Sequence, residues 1–237
     1  MRRLIAALSF LTRLPMPRVA ADAEDFAAAI RWYPAVGLIV GGGVAGAAWL
    51  GAAIDPWTGA LAALAAWVAI TGALHLDGLA DLADGLGAAH GDRDRLLAVM
   101  ADPHVGSFGV VAVGMQLLAK LVLLHALMPG EVWPIAVIPC AARIGPLVWA
   151  RWLPPVTPGL GARVAQAARG RDIAGWALVL AGLSVAAPAL LVAPVLVLGW
   201  GLWLRCRLGG VNGDAHGAGI EWLETGLLAV SVVLGAR

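Results

Sequence analysis

Val105-Gly106-Ser107-Phe108-Gly109-Val110-Val111-Ala112-Val113-Gly114-Met115-Gln116-Leu117-Leu118-Ala119-Lys120-Leu121-Val122-Leu123-Leu124-His125-Ala126-Leu127-Met128 is a run of 24 residues carrying one formal charge. A helix needs about 20 such residues to cross the hydrocarbon of a bilayer. Comparable windows are Trp32–Ile54, Trp57–Leu76 and Val132–Ala150. Ile173–Leu204 is too long for one crossing and is interrupted by Pro188 and Pro194, so it reads as a hairpin of two short helices or as one long bent helix. Trp222–Ala236 is shorter and carries Glu224. The expected fold is all-α: a polytopic integral membrane helical bundle of six or seven transmembrane helices, one membrane-embedded domain over residues 1–237.

Composition supports this. Apolar residues make up 61% of the chain and charged residues 13%, against about 45–50% and about 25% in soluble domains. A net charge of +1 offers nothing to nucleic acid, so the expected surroundings are membrane lipid. Cys140 and Cys206 form no metal-binding spacing. Met1-Arg2-Arg3 followed by Leu4–Leu11 mimics a signal peptide, but Thr12-Arg13-Leu14-Pro15 follows without a small-residue cleavage site. It reads as a retained interfacial or re-entrant segment. No fixed-period repeat stands out, and the sequence leaves the oligomeric state open.

Arginine placement orients the bundle. With a cytoplasmic N-terminus and a hairpin at Ile173–Leu204, thirteen arginines fall inside: Arg2, Arg3, Arg13, Arg18, Arg31, Arg93, Arg95, Arg151, Arg163, Arg169, Arg171, Arg205 and Arg207. The outer loops near Asp55 and Gly130 hold no Lys or Arg, and only Arg237 falls outside. A bacterial inner membrane with the active site facing the cytoplasm is therefore expected.

On that face lies His75-Leu76-Asp77-Gly78-Leu79-Ala80-Asp81-Leu82-Ala83-Asp84-Gly85-Leu86. On a helix Asp77, Asp81 and Asp84 stand at i, i+4 and i+7 and share one face. Three like charges at a membrane boundary repel, and a divalent cation keeps them ionised. Hard carboxylate oxygens favour Mg²⁺, which leaves positions open for substrate phosphates. Gly78 and Gly85 are expected to let a metal-bound phosphate approach the backbone. Asp92 and Asp94, set among arginines, read as a solvated loop.

Further groups are candidates. Asp102 suits a helix cap as well as a ligand. Gly106, Ser107 and Gly109 open a span whose free N–H groups suit a phosphate. Gly209-Gly210-Val211-Asn212-Gly213-Asp214, with Gly217 and Gly219, reads as a ligand-wrapping loop to which Asp214, Glu221 and Glu224 add carboxylates on the same side. Lys120 and Arg143 fall within spans, where charge is expensive. Lys120 is expected to pair with a buried carboxylate, and Arg143 either to do the same or to reach a substrate phosphate. Arg13 and Arg151 suit phosphate binding or simple positive-inside anchoring.

These motifs resemble the cobalamin synthase family, the membrane-bound adenosylcobinamide-GDP ribazoletransferases. The resemblance is carried by Leu11-Thr12-Arg13-Leu14-Pro15-Met16-Pro17, Trp32-Tyr33-Pro34-Ala35-Val36-Gly37, the His75–Gly85 acidic motif, Gly106-Ser107-Phe108-Gly109, Gly209–Asp214, and Gly217-Ala218 with the two glutamates. Departures are Asp102-Pro103-His104, Asn212 where Thr is frequent, His216 where a hydrophobe is frequent, and a compressed segment before Gly159-Leu160-Gly161. The resemblance implies that adenosylcobinamide-GDP reacts with α-ribazole or its 5′-phosphate to give adenosylcobalamin or its 5′-phosphate and GMP. A ribose hydroxyl attacks a pyrophosphate. Mg²⁺ on Asp77, Asp81 and Asp84 would neutralise it, with Asp84 or Asp81 preferred over Asp214 for taking the proton. Asp102, Gly106, Ser107, Arg13, Arg143, Asp214 and Glu221 are expected around the substrate. Two other classes compete. A CDP-alcohol phosphotransferase requires Ala-Arg soon after its first Asp-Gly, and none follows Gly78 or Gly85 at that spacing. A cation-coupled transporter predicts carboxylates near mid-membrane.

Overall fold

The computed structural model describes residues 1–128, 132–156 and 160–235. The sequence readings that touch Gly130, Gly159, Ala236 and Arg237 lie outside them. The described residues form helices and no strand, with one isolated bridge between Pro155 and Val211. In chain order the helices are α1 (Arg2–Leu11), α2 (Ala23–Ala28), α3 (Tyr33–Ala52), α4 (Pro56–Thr71), α5 (Leu74–Ala89), α6 (Arg93–Met100), α7 (Ser107–Leu127), α8 (Trp133–Ala142), α9 (Ile144–Trp152), α10 (Leu160–Ala167), α11 (Gly170–Ser184), α12 (Ala193–Arg207) and α13 (Gly213–Gly235). Short 3₁₀ turns at Ala29–Trp32 and Pro188–Val192 lead into α3 and α12.

Among the described residues, five continuous stretches are long and apolar enough to cross a bilayer: Ala23–Ala52, Ser107–Leu127, Trp133–Trp152, Pro188–Arg207 and Gly213–Gly235. The pair α4 and α5 makes a sixth only with an 85° bend. The expected span Trp57–Leu76 is thus corrected: α4 stops at Thr71, where Gly72 and Ala73 both take left-handed backbone (φ 61° and 60°). Glycine adopts that region freely, whereas Ala73 does so at a steric cost. The chain turns sharply there, and α5 carries the acidic motif away from the axis of α4.

Neighbouring helices approach closely where side chains are absent. A methyl group on Gly37 would meet the backbone at Pro139–Cys140, and one on Gly41 the backbone at Ala136. This pairing makes α3 and α8 antiparallel. Their opposite ends then locate α11. The Trp176 indole donates to Arg31 O (2.9 Å) near the start of α3, while Trp133, at the start of α8, donates to Ala186 O (3.1 Å) just beyond α11. α11 therefore runs from one end of the bundle to the other, and α12 returns through a break at Val185–Pro188. Of the two readings of Ile173–Leu204, the hairpin is the one observed, although α11 has only 15 residues.

α1 is ten residues long, about 15 Å, too short to cross. It buries Ala7, Leu8 and Leu11 against the turn leading into α3, as an interfacial segment does. The principal core, centred on Val36, Val40, Trp67, Leu124, Ile138 and Leu227, lies between α3, α4, α7, α8 and α13. α5 crosses the N-terminal ends of α7 and α13, and that crossing creates the site.

Candidate active site

The crossing depends on Gly78. A Cβ there would lie 2.8 Å from Cα of Asp214, so only glycine lets α5 lie against the first turn of α13. Gly85 plays the same part toward α6, where a Cβ would meet the Met100 side chain and Leu96 O. Both glycines are occupied by helix packing, which corrects the expectation that they leave room for a phosphate. The expected ligand-wrapping loop is likewise mostly helix: α13 begins at Gly213, and Asn212 caps it by accepting from the Ala215 N–H (2.9 Å).

The three aspartates of the motif differ in surroundings. Asp77 is exposed, Asp81 half-buried and Asp84 buried. Asp84 accepts from Gly106 N–H (2.7 Å) and Gly109 N–H (2.9 Å), one on each carboxylate oxygen. Those are the free N–H groups at the start of α7 that were expected to take a phosphate. The anion that satisfies this helix N-terminus is the protein's own Asp84, leaving Ser107 exposed beside it. Asp84, expected as ligand or base, and Gly106, expected as a substrate contact, are thus bonded to each other at the start of α7, with Ser107 next to them. Asp102 neither caps α7 nor reaches the site. It is an exposed turn residue that accepts from the N–H and the ring Nδ1 of His104 (2.9 and 2.6 Å), and both contacts hold its carboxyl below the usual range.

Of its two expected roles Arg143 takes the ion pair, and Glu221 is buried rather than lining the cavity. Arg143, fully buried at the α8–α9 break, donates to Glu224 Oε1 (2.8 Å) and Pro139 O (3.0 Å). Lys120 pairs with Glu221 (2.7 Å) and Glu224 (2.6 Å), as a buried lysine should, and stands 4.4 Å from the Trp67 ring centroid. Gln116 adds a hydrogen bond to Glu221 Oε2 (2.8 Å). Two cations thus meet two carboxylates inside the bundle. Arg143 and Glu221 are both held in these buried ion pairs.

What remains converges. Asp77 and Asp214 line one cavity of about 400 Å³, and Asp81 lies within electrostatic reach of Asp214, Asp77 and Asp84. The other walls bring together Phe10, Phe26 and Tyr33 from the N-terminal segment, His75 from α5, and His216 and Ile220 from α13. The sequence reading missed the aromatic wall. Its one signal was scarcity: the chain has three Phe and one Tyr, and two of the former and the latter gather here. Arg13 is exposed at the elbow, its N–H donating to Ile70 O (2.7 Å) and its side chain lying over Gly72.

Among the described residues no group of three His, Cys, Asp or Glu side chains forms a ready-made metal cage. The donor set still fits Mg²⁺, which uses one or two carboxylates and takes its remaining ligands from water and substrate phosphates. Asp77 and Asp81 on α5 and Asp214 on α13 are the carboxylates from which such a partial shell would be drawn.

Fold and site together define a multi-pass helical membrane protein with a part-apolar, part-acidic pocket at one end. The cobalamin-5-phosphate synthase family matches residues 3–232. Adenosylcobinamide-GDP ribazoletransferase of Novosphingobium aromaticivorans is 59% identical over 99% of this chain and 98% of its own length. The protein of the same name from Thiobacillus denitrificans is 50% identical, covering 98% of this chain and 96% of its own. That from Pseudomonas aeruginosa is 40% identical, with 96% of each chain covered. No solved structure matches. The chain belongs to the cobalamin-5-phosphate synthase family and is a transferase of cobalamin biosynthesis.

Proposed function

We propose that this enzyme moves the adenosylcobinamide-phosphate group of adenosylcobinamide-GDP onto α-ribazole or its 5′-phosphate, releasing GMP, and that Mg²⁺ is required. The observation that carries the site assignment is the meeting of Asp77 and Asp214 at the edge of one cavity, fixed by the contact at Gly78. Asp77 and Asp81 hold the metal, which when bound neutralises the pyrophosphate and the charge that develops on GMP. Asp214 lines the cavity and accepts the proton of the attacking ribose hydroxyl. It takes this role from Asp84, whose oxygens are committed to α7. Arg13, packed on the elbow from which α5 departs, is the cation assigned to the pyrophosphate.

The reading extends to a bacterial inner membrane, with the site facing the cytoplasm. Arg2, Arg3, Arg31, Arg169 and Arg171 gather around one groove at the same end of the bundle, in keeping with the positive-inside rule.

The test is turnover by the purified protein in liposomes supplied with adenosylcobinamide-GDP and α-ribazole. GMP release is expected only with both substrates, abolished by EDTA and restored by Mg²⁺. Release that persists in EDTA contradicts the metal. Release without α-ribazole contradicts the transfer.

A further inference from the structure

The cavity is too small for everything the reaction brings together, and its lining indicates which part enters. At about 400 Å³ it lies toward the lower end of the range of about 300–1,000 Å³ that accommodates drug-sized ligands. A nucleoside fits such a space, whereas a corrinoid bearing a nucleotide does not.

One wall is aromatic. Phe10 and Phe26 meet edge to face with centroids 5.2 Å apart, and Phe10 and Tyr33 stack at 6.2 Å. Aromatic faces favour a flat, apolar ring system. His75 and His216 also line the cavity, and His75 Nε2 and His216 Nδ1 are buried without a partner. Buried polar atoms normally have one, so an orphan beside a cavity calls for a ligand atom. His75 also has an assigned tautomer. Its Nδ1 is 3.4 Å from an Arg143 nitrogen, and arginine only donates, so Nδ1 accepts and Nε2 carries the hydrogen. The unpartnered group is a donor.

We infer that this cavity is the acceptor subsite and takes the benzimidazole ring of α-ribazole, leaving the corrinoid outside. This rests on the transferase reading above. The ring is planar, bicyclic, methylated and presents a single free ring nitrogen that accepts one hydrogen bond. Guanine instead presents several donors and acceptors, which an apolar wall would leave unpaired. With the base seated among Phe10, Phe26 and Tyr33, the ribose emerges beside Asp214 and Asp77, where its hydroxyl has to meet the pyrophosphate.

Phe26→Ala and His75→Leu test the assignment. Steady-state kinetics with each substrate varied should show the KM for α-ribazole raised about tenfold by either change, the equivalent of one lost hydrogen bond or ring contact. The KM for adenosylcobinamide-GDP should stay within about twofold. Equilibrium dialysis with α-ribazole alone, without turnover, should show saturable binding that both variants weaken by a similar factor and that GMP does not displace. A raised KM for adenosylcobinamide-GDP, unchanged kinetics in both variants, or displacement by GMP overturns the subsite. Wild-type protein that binds α-ribazole but never releases GMP overturns the transferase reading instead.

Discussion

Charge is handled in two ways by residues a few positions apart. Asp84 and Asp77 lie on the same α5 face, yet Asp84 is buried against the N-terminus of α7 while Asp77 opens onto the cavity. Glu221 and Glu224 follow Asp214 on α13 but turn inward to Lys120 and Arg143. Composition and spacing identified every one of these acids, but their division of labour depended on partners about 20 to 100 residues away in sequence. Lys120 was the exception, because a lone lysine in an apolar run has to find a carboxylate. The paired set gives a prediction at this scale. Glu224→Gln leaves two buried cations facing one carboxylate and should cost about 3–5 kcal/mol of stability, the usual penalty for breaking a buried pair. Thermal unfolding in detergent measures it, and a variant as stable as the wild type would show the network to be dispensable.

At the scale of elements, the apolar windows placed the crossing segments well because hydrophobic length is a local property. The bend at Gly72-Ala73 escaped notice because no proline marks it, and Ala73 in a left-handed conformation has no sequence signature. The start of α13 was hidden for the opposite reason: glycines that look like a loop are there to let α5 approach. The N-terminal end of α4 was legible only as a turn, yet it has a pH-dependent cap. Asp55 accepts hydrogen bonds from the Thr58 hydroxyl and from the N–H groups of Thr58 and Trp57. The Thr58 hydroxyl is the main cause of a carboxyl held below its ordinary value. The stabilisation is fully present above the unfolded-state value of about 3.9 and is lost as pH falls through the lower folded-state value. Melting curves in detergent should therefore show wild type and Asp55→Asn differing by a constant amount near neutrality and converging below about pH 4. A gap that widens in acid would reverse the assignment.

Across the whole molecule, the N-terminal segment, α5, α6, and the starts of α7 and α13 collect at the arginine-rich end. The two cysteines report on which side of the membrane that is, since Cys206 is exposed in the last turn of α12 and Cys140 is buried. A membrane-impermeant maleimide should label Cys206 in inside-out vesicles and leave it unmodified in right-side-out ones. Labelling from the outer face would invert the topology and place the site away from the cytoplasm. The proposed orientation rests on the arginine bias, a sum over the whole chain, while the cavity required segments far apart in sequence, from Phe10 to Ile220, to be brought together in space.

The acidic crossing of α5 and α13 is the feature on which the proposed chemistry most directly depends. Asp77→Asn, Asp214→Asn and Asp84→Asn, each purified in liposomes, should be compared for GMP release from adenosylcobinamide-GDP and α-ribazole across a Mg²⁺ titration. Asp77→Asn should lower kcat/KM about 100-fold and shift the Mg²⁺ dependence to higher concentration. Asp214→Asn should lower kcat by about 100-fold or more with little shift in Mg²⁺ dependence. Asp84→Asn should act mainly by lowering stability, its folded fraction keeping its Mg²⁺ dependence. Wild-type turnover in Asp77→Asn and Asp214→Asn, with Asp84→Asn folded yet inactive, would contradict the site built here.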